Sequence, residues 1–252
     1  MATAMATITA MVTVSIIMFD RHKFSPLALL RLQAWLSPAF PTGAYSYSHG
    51  LEWAVEAGYI KDRESLVDWL EADLRHGSGR NEVIFFSEAW RCTTQGNRAR
   101  LVEISELAAA FRSTSEFALE SSQQASACST TLRQVWPNHL LDWLSETLAG
   151  IHVPHAIAVV LGVRSASQGI PLALALPAFL QSYTANLVTA AVRLIPLGQT
   201  DGQLAIAALE GAVLAACAHA TNSTIDDLGS AAFMVDIASM AHETQYTRLF
   251  RS

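Results

Sequence analysis

The densest set of reactive side chains in this sequence lies in Pro38–Glu52, PAFPTGAYSYSHGLE. Two tyrosines, two serines, a histidine and a glutamate stand between two prolines and two glycines. Proline removes a backbone donor and glycine releases conformational restraint, so the stretch cannot be one continuous helix. It reads as a constrained polar loop between helices, the kind of segment that carries binding or catalysis when it is more than a connector. The other candidates are thinner. His152 and His155 flank Pro154 and are better placed to open a helix than to share a metal. Cys217 and His219 point to different faces of a helix, and a free cysteine among alanines is usually a small buried hydrophobe. Asp226-Asp227 lacks the further carboxylates that magnesium would need and suits a cap. For His49 and His242 a hydrogen-bonded structural role is favoured over contact with a metal in passage.

Motifs of the common catalytic classes are missing. There is no Gly-Lys pair and so no phosphate-binding loop, no HExxH and no G-x-S-x-G elbow. The expectation is therefore no catalytic residues, no resident metal and no cofactor. What the chain has in surplus is apolar surface: 51% of residues are hydrophobic and 15% charged, which calls for large buried faces, a partner or a membrane. The net charge of −6 argues against nucleic acid. Three dispersed cysteines form no disulfide framework and point to a reducing, cytoplasmic home. Ser165–Val192 is uncharged and long enough to span a bilayer, but Gly169, Pro171 and Pro177 interrupt it and four polar side chains would need partners in lipid. A buried or interfacial helix is the better reading, with a membrane-embedded protein as the alternative from another class.

The elements that would position the loop are helical throughout. Ser25-Pro26 caps a helix over Leu27–Leu36, and Leu51–Ala57 follows the loop with Gly58 as its stop. Asp62 caps a helix carrying Leu66, Leu70 and Leu74 at four-residue spacing, which Gly77 and Gly79 end. Further helices are expected over Asn81–Trp90, Arg98–Phe111, Ser115–Val135, Pro154–Arg164, Pro171–Leu194 and Gln203–Ala220, the last launched by a Thr200–Gln203 capping box. Thr224–Leu228 is a short turn. With no alternating strand pattern and no internal repeat, the expectation is one all-α domain of roughly eight to ten helices in a bundle-like array. Residues 1–23 form a poor signal peptide and read as a dispensable extension; the helical domain would run over 24–252, with a partner-binding tail from about 233.

Three blocks in order resemble the UreF family of urease accessory proteins. They are Ser37-Pro38 with Pro41-x-Gly43-x-Tyr45-Ser46-Tyr47-Ser48-x-Gly50-Leu51-Glu52; Gln181-Ser182-Tyr183-x-x-Asn186-Leu187 with Arg193 through Gln199; and His242 through Ser252. The resemblance covers about Leu30 to Ser252. One departure is Ala125 after the Gln123-Gln124 pair, where the family usually has glycine. The resemblance implies an all-α, non-enzymatic accessory protein for GTP-dependent nickel loading of apo-urease. It would bridge a UreD/UreH scaffold and the UreG GTPase, as a homodimer, with nickel as transient cargo. Regulation of the GTPase's hydrolysis is the alternative within the family. The partner-binding candidates are Tyr45, Ser46, Tyr47, His49, Glu52, Arg193, Gln199, Tyr246, Arg248, Leu249, Phe250 and Arg251. Arginine and aromatic residues are the types enriched at binding hot spots. Tyr45, Ser46, Tyr47 and His49 are expected to face a partner rather than the core, and the tail to stay mobile until the scaffold orders it, with Leu249 and Phe250 filling scaffold pockets.

Overall fold

The computed structural model describes Ser25–Ser252. Over these residues the chain is all-α, as the periodicity predicts, with eleven α-helices where roughly eight to ten were expected and no strand. They are α1 (Pro26–Leu36), α2 (Leu51–Glu56), α3 (Arg63–His76), α4 (Ser78–Gln95), α5 (Arg98–Ala110), α6 (Ser115–Val135), α7 (His139–Gly150), α8 (Ile157–Ser167), α9 (Leu172–Leu194), α10 (Gln199–Asn222) and α11 (Phe233–His242). Two 3₁₀ turns, Ala44–Ser46 and Ile225–Asp227, interrupt the loops. The N-terminal extension expected over 1–23 lies outside the described residues.

Helix α4 is the axis of the core. Its Val83, Ile84, Phe85, Phe86 and Ala89 are buried, and α3, α5, α8, α9 and α10 all pack against it. The closest crossing is with α8, where a Cβ on Gly162 would lie 2.6 Å from the Phe86 carbonyl oxygen. Only glycine lets the two backbones meet there. α8 itself is buried from Ala158 to Ser165, so its continuous apolar run is a core helix. α10 is the one described helix long and apolar enough to cross a membrane by length and composition; here it lies along α3, α9 and α4.

The helix starts follow local chemistry. Asp62 forms a capping box with Ser65, and Asn97, Thr114 and Asn138 each accept a backbone N–H from the first turn of α5, α6 and α7. Several boundaries differ from the sequence expectation. α7 was not anticipated; it follows its asparagine cap and buries Leu141, Leu144 and Leu148. Gly79 is inside α4 rather than beyond α3, because the Asp73 carboxylate accepts the Ser78 and Gly79 N–H groups (2.9 and 3.3 Å) and so starts a new helix at once. α10 begins at Gln199, before the expected Gln203, because Asp201 accepts the Gly198 N–H at 3.3 Å. Residues 233–242, expected as part of a tail, are the helix α11, packed on α2 and α6.

Candidate functional site

The loop between α1 and α2 is shaped by two left-handed glycines. Gly43 (φ 74°) turns the chain into the first 3₁₀ turn, and Gly50 (φ 77°) starts α2 directly beneath α11. A Cβ at Gly50 would lie 2.8 Å from the Ser239 backbone nitrogen. His49 is left-handed as well (φ 57°), a conformation rare for a side chain of this size. Its ring is held on every side. It stacks on Phe117 with centroids 3.8 Å apart, Nδ1 lies 3.2 Å from Glu120 Oε2, and Nε2 lies 2.6 Å from Ser78 Oγ.

Ser78, His49 and Glu120 have the order of a nucleophile, a base and an orienting acid. Their protons argue otherwise. Ser78 donates to Asp73 Oδ1 at 2.8 Å, and Tyr183 donates to Asp73 Oδ2 at 2.9 Å. Nε2 of His49 must therefore donate to Ser78 while Nδ1 donates to Glu120. Burial alone would pull the His49 pKa down, but the charge of Glu120 and its hydrogen bond, with Asp73 and Glu82 behind them, hold it above the ordinary 6.5. An imidazolium cannot take a proton from a serine, so the arrangement is a structural ion network. It borders a cavity of about 280 Å³ that the Glu82–Arg112 ion pair also lines.

A second cluster adjoins the first. His242 is fully buried, with Nδ1 2.8 Å from Glu116 Oε2 and Nε2 3.1 Å from Glu52 Oε2. Glu52 also accepts the backbone N–H groups of Leu249 (2.6 Å) and Phe250 (2.9 Å). Arg248 donates to Glu116 at 2.6 Å, and Ser252 Oγ to Glu120 at 2.9 Å. The last residues then run beside the loop: Arg251 N–H donates to the Ser46 carbonyl (2.8 Å) and Ser48 N–H to the Ser252 carbonyl (2.7 Å). Arg251 lies over the Tyr47 ring at 5.6 Å, and Arg193 lies over the Phe250 ring at 4.3 Å while donating to the Tyr45 carbonyl at 2.7 Å.

The structure thus assembles most of the predicted residues, Tyr45, Ser46, Tyr47, His49, Glu52, Arg193, Arg248, Leu249, Phe250 and Arg251, from three distant parts of the chain. Two expectations are corrected. Tyr47 and His49 are buried, at 2% and 7% exposure, and do not form an open surface in this chain; Tyr45 is exposed. The tail is docked on its own domain, with Phe250 and Ser252 buried, because Glu52, Glu116 and Glu120 give its polar groups partners inside the monomer. Phe250 fills this chain's core rather than a foreign pocket. Leu249 and Tyr246 remain exposed. Gln199 stands exposed at the start of α10 and takes no part in the cluster.

Sequence reading missed Asp73, Ser78, Glu116 and Glu120. The i,i+4 acids on the buried side of α6, and an aspartate followed closely by Gly-Ser-Gly, were the available signals. Among the described residues no group of three or more His, Cys, Asp or Glu side chains is arranged to hold a metal ion.

Ala125, where the family usually has glycine, is fully buried in α6. The family model of UreF matches residues 60–210. The chain is 48% identical over 225 residues to the "Urease accessory protein UreF" of Rhodopseudomonas palustris strain BisB5, covering 89% of this chain and 91% of that one. Against the protein of that name from Bradyrhizobium diazoefficiens it is 48% identical, covering 89% and 92%. Against that from Xanthobacter autotrophicus it is 46% identical, covering 90% and 93%. With the family model spanning more than half the chain and these relatives most of it, the chain belongs to the UreF family of urease accessory proteins.

Proposed function

We propose that this chain is a cytoplasmic, non-catalytic component of urease maturation that joins a UreD/UreH scaffold to the UreG GTPase while nickel is delivered to apo-urease. The observation that carries the reading is the face presented by α11 and the docked tail. Phe233, Met234, Ile237 and Met240 project outward along α11, and Tyr246, Leu249 and Tyr45 are exposed on the strap and loop. Exposed apolar side chains in this number, on a helix and strap held by an ion network beneath, suit a partner protein. We assign this face to the scaffold.

The partner face is tested by Met240→Asp and Leu249→Asp. Both side chains are exposed, so circular dichroism and Tm should hardly change. Capture by an immobilised UreD/UreH scaffold should weaken at least about tenfold, or about 1.4 kcal/mol. Unchanged capture would remove this face from the contact.

The homodimer is assigned to α10. Its outward side carries Leu204, Ala207, Ala208, Gly211, Leu214, Ala215 and Ala218, all exposed, with Glu210 and His219 as its charged or titratable members. Small residues let helices approach closely. Gly211→Arg should shift the protein to monomer in sedimentation; a persistent dimer would place the interface elsewhere.

A further inference from the structure

Arg164 is the largest fully buried side chain of the described residues, 1% exposed in the last turn of the core-forming α8. Its Nε and Nη1 have no hydrogen-bond partner. No ion pair among the described residues involves it. Removing a guanidinium from water without a counter-charge is among the costliest arrangements a fold can hold. One compensation is visible: the Trp35 ring, 5.1 Å from Arg164 Cζ.

The surroundings deepen the deficit. Arg31 and Trp35 are four residues apart on α1 and share one helix face, and Gln168 is the C-terminal cap of α8, four residues beyond Arg164. Arg31 Nη1 donates to Gln168 Oε1, which ties the helices at their half-buried outer end. Arg31 Nε and the Trp35 indole N–H are buried without acceptors. Burial first, and then the charge of Arg31, hold the Arg164 guanidinium below its ordinary range. Two cations and an indole N–H therefore converge where neither helix supplies an acid. Every unpartnered atom of this set is a donor, so the complement is a group that only accepts.

We propose that Arg31, Trp35 and Arg164 form a binding site for a small free oxyanion, a carboxylate, sulfate or phosphate, entering at the Arg31–Gln168 end. Guanidinium groups present paired N–H donors that match two oxygens of such an anion. Trp35 adds a third donor, and its ring lies against the Arg164 guanidinium. The site is separate from the loop and tail network and does not depend on the partner assignments above.

The test uses the full chain and thermal unfolding in sodium sulfate, phosphate or acetate against sodium chloride at matched ionic strength. Sulfate and phosphate also stabilise proteins generally by exclusion from the surface, so the readout is the difference between variants. Wild type should gain Tm saturably at low anion concentration. Arg31→Gln and Trp35→Phe should raise the half-saturating concentration by about tenfold or more, and Arg164→Met should abolish the saturable part. Where Arg164→Met does not fold, the two α1 variants decide. Identical responses in wild type and Arg31→Gln would overturn the site. So would a response that appears only in Asp20→Asn. Asp20 is the acidic residue nearest Arg31 in sequence, and that outcome would mean a carboxylate of this chain already neutralises the arginines.

Discussion

Glu52 accepts from three groups on two other segments: the His242 ring and the Leu249 and Phe250 amides. The His242 ring and the Phe250 amide are buried, and the Leu249 bond is half-buried, so the two buried donors have no water to turn to. Glu52→Ala should therefore cost about 3–5 kcal/mol, the range for breaking a buried ion pair by removing one member. Proteolysis or hydrogen exchange of 246–252 should rise with it; a stable variant with a protected tail would show that the carboxylate is dispensable. His49 gives a pH dependence with a definite sign. Its folded pKa lies above the unfolded 6.5, so its contribution is complete below that value and is lost as pH rises through the folded pKa. Stability should decline over that interval in wild type. His49→Asn, which tolerates the left-handed backbone, should flatten the decline in denaturant titrations; equal slopes would mean the ring is not charged. Glu52 and His49 stood out in the sequence from the motif that carries them. The burial of Tyr47 and His49 was not legible, because a Pro/Gly-rich loop reads as solvated and what covers it comes from the other end of the chain. Asp73, Glu116 and Glu120 escaped notice for a related reason: an acid at helical spacing normally belongs to a wet face.

Helix starts with a side-chain cap in the sequence, such as α3, α5 and α6, were legible because the signal and the structure lie within four residues of each other. The start of α4 was not, because Asp73 reaches forward from the preceding helix to cap it. α11 was read as tail because it is short, and four of its ten residues show large apolar side chains to solvent. How tightly it sits on the loop can be measured with two glycines that share a backbone conformation. Gly43→Ala meets nothing within 4 Å and should cost about 1–2 kcal/mol for the left-handed geometry alone. Gly50→Ala adds a methyl 2.8 Å from the backbone of α11 and should cost clearly more. Equal losses in chemical denaturation would mean that α11 moves aside freely.

The strap over 248–252 joins α2, α6, α9 and the loop, so its loss reaches the whole fold. Removing it exposes the seat of Phe250 and strips Glu52, Glu116 and Glu120 of donors. A chain lacking Arg248–Ser252 should stay helical but melt lower. Deleting a buried aromatic alone costs about 3–5 kcal/mol. Unchanged melting by calorimetry would return the segment to the status of a free tail. The all-α class and the central apolar half were legible from periodicity, since both depend on patterns within single helices. The closure of the molecule was not, since it depends on pairings between residues as far apart as Ser48 and Ser252.

That closure has a bearing on synthesis. Ser48 and Ser252 are 204 positions apart. At roughly 5–20 residues per second, about 10–40 s pass between the two emerging from a ribosome. Throughout that interval the aromatic loop has no cover, and Glu52 and Glu120 lack the amides and hydroxyl that later satisfy them. The loop therefore cannot settle before residues 246–252 have been made, since its pairings are with them. A chain broken off before residue 246 would leave that loop without its partners.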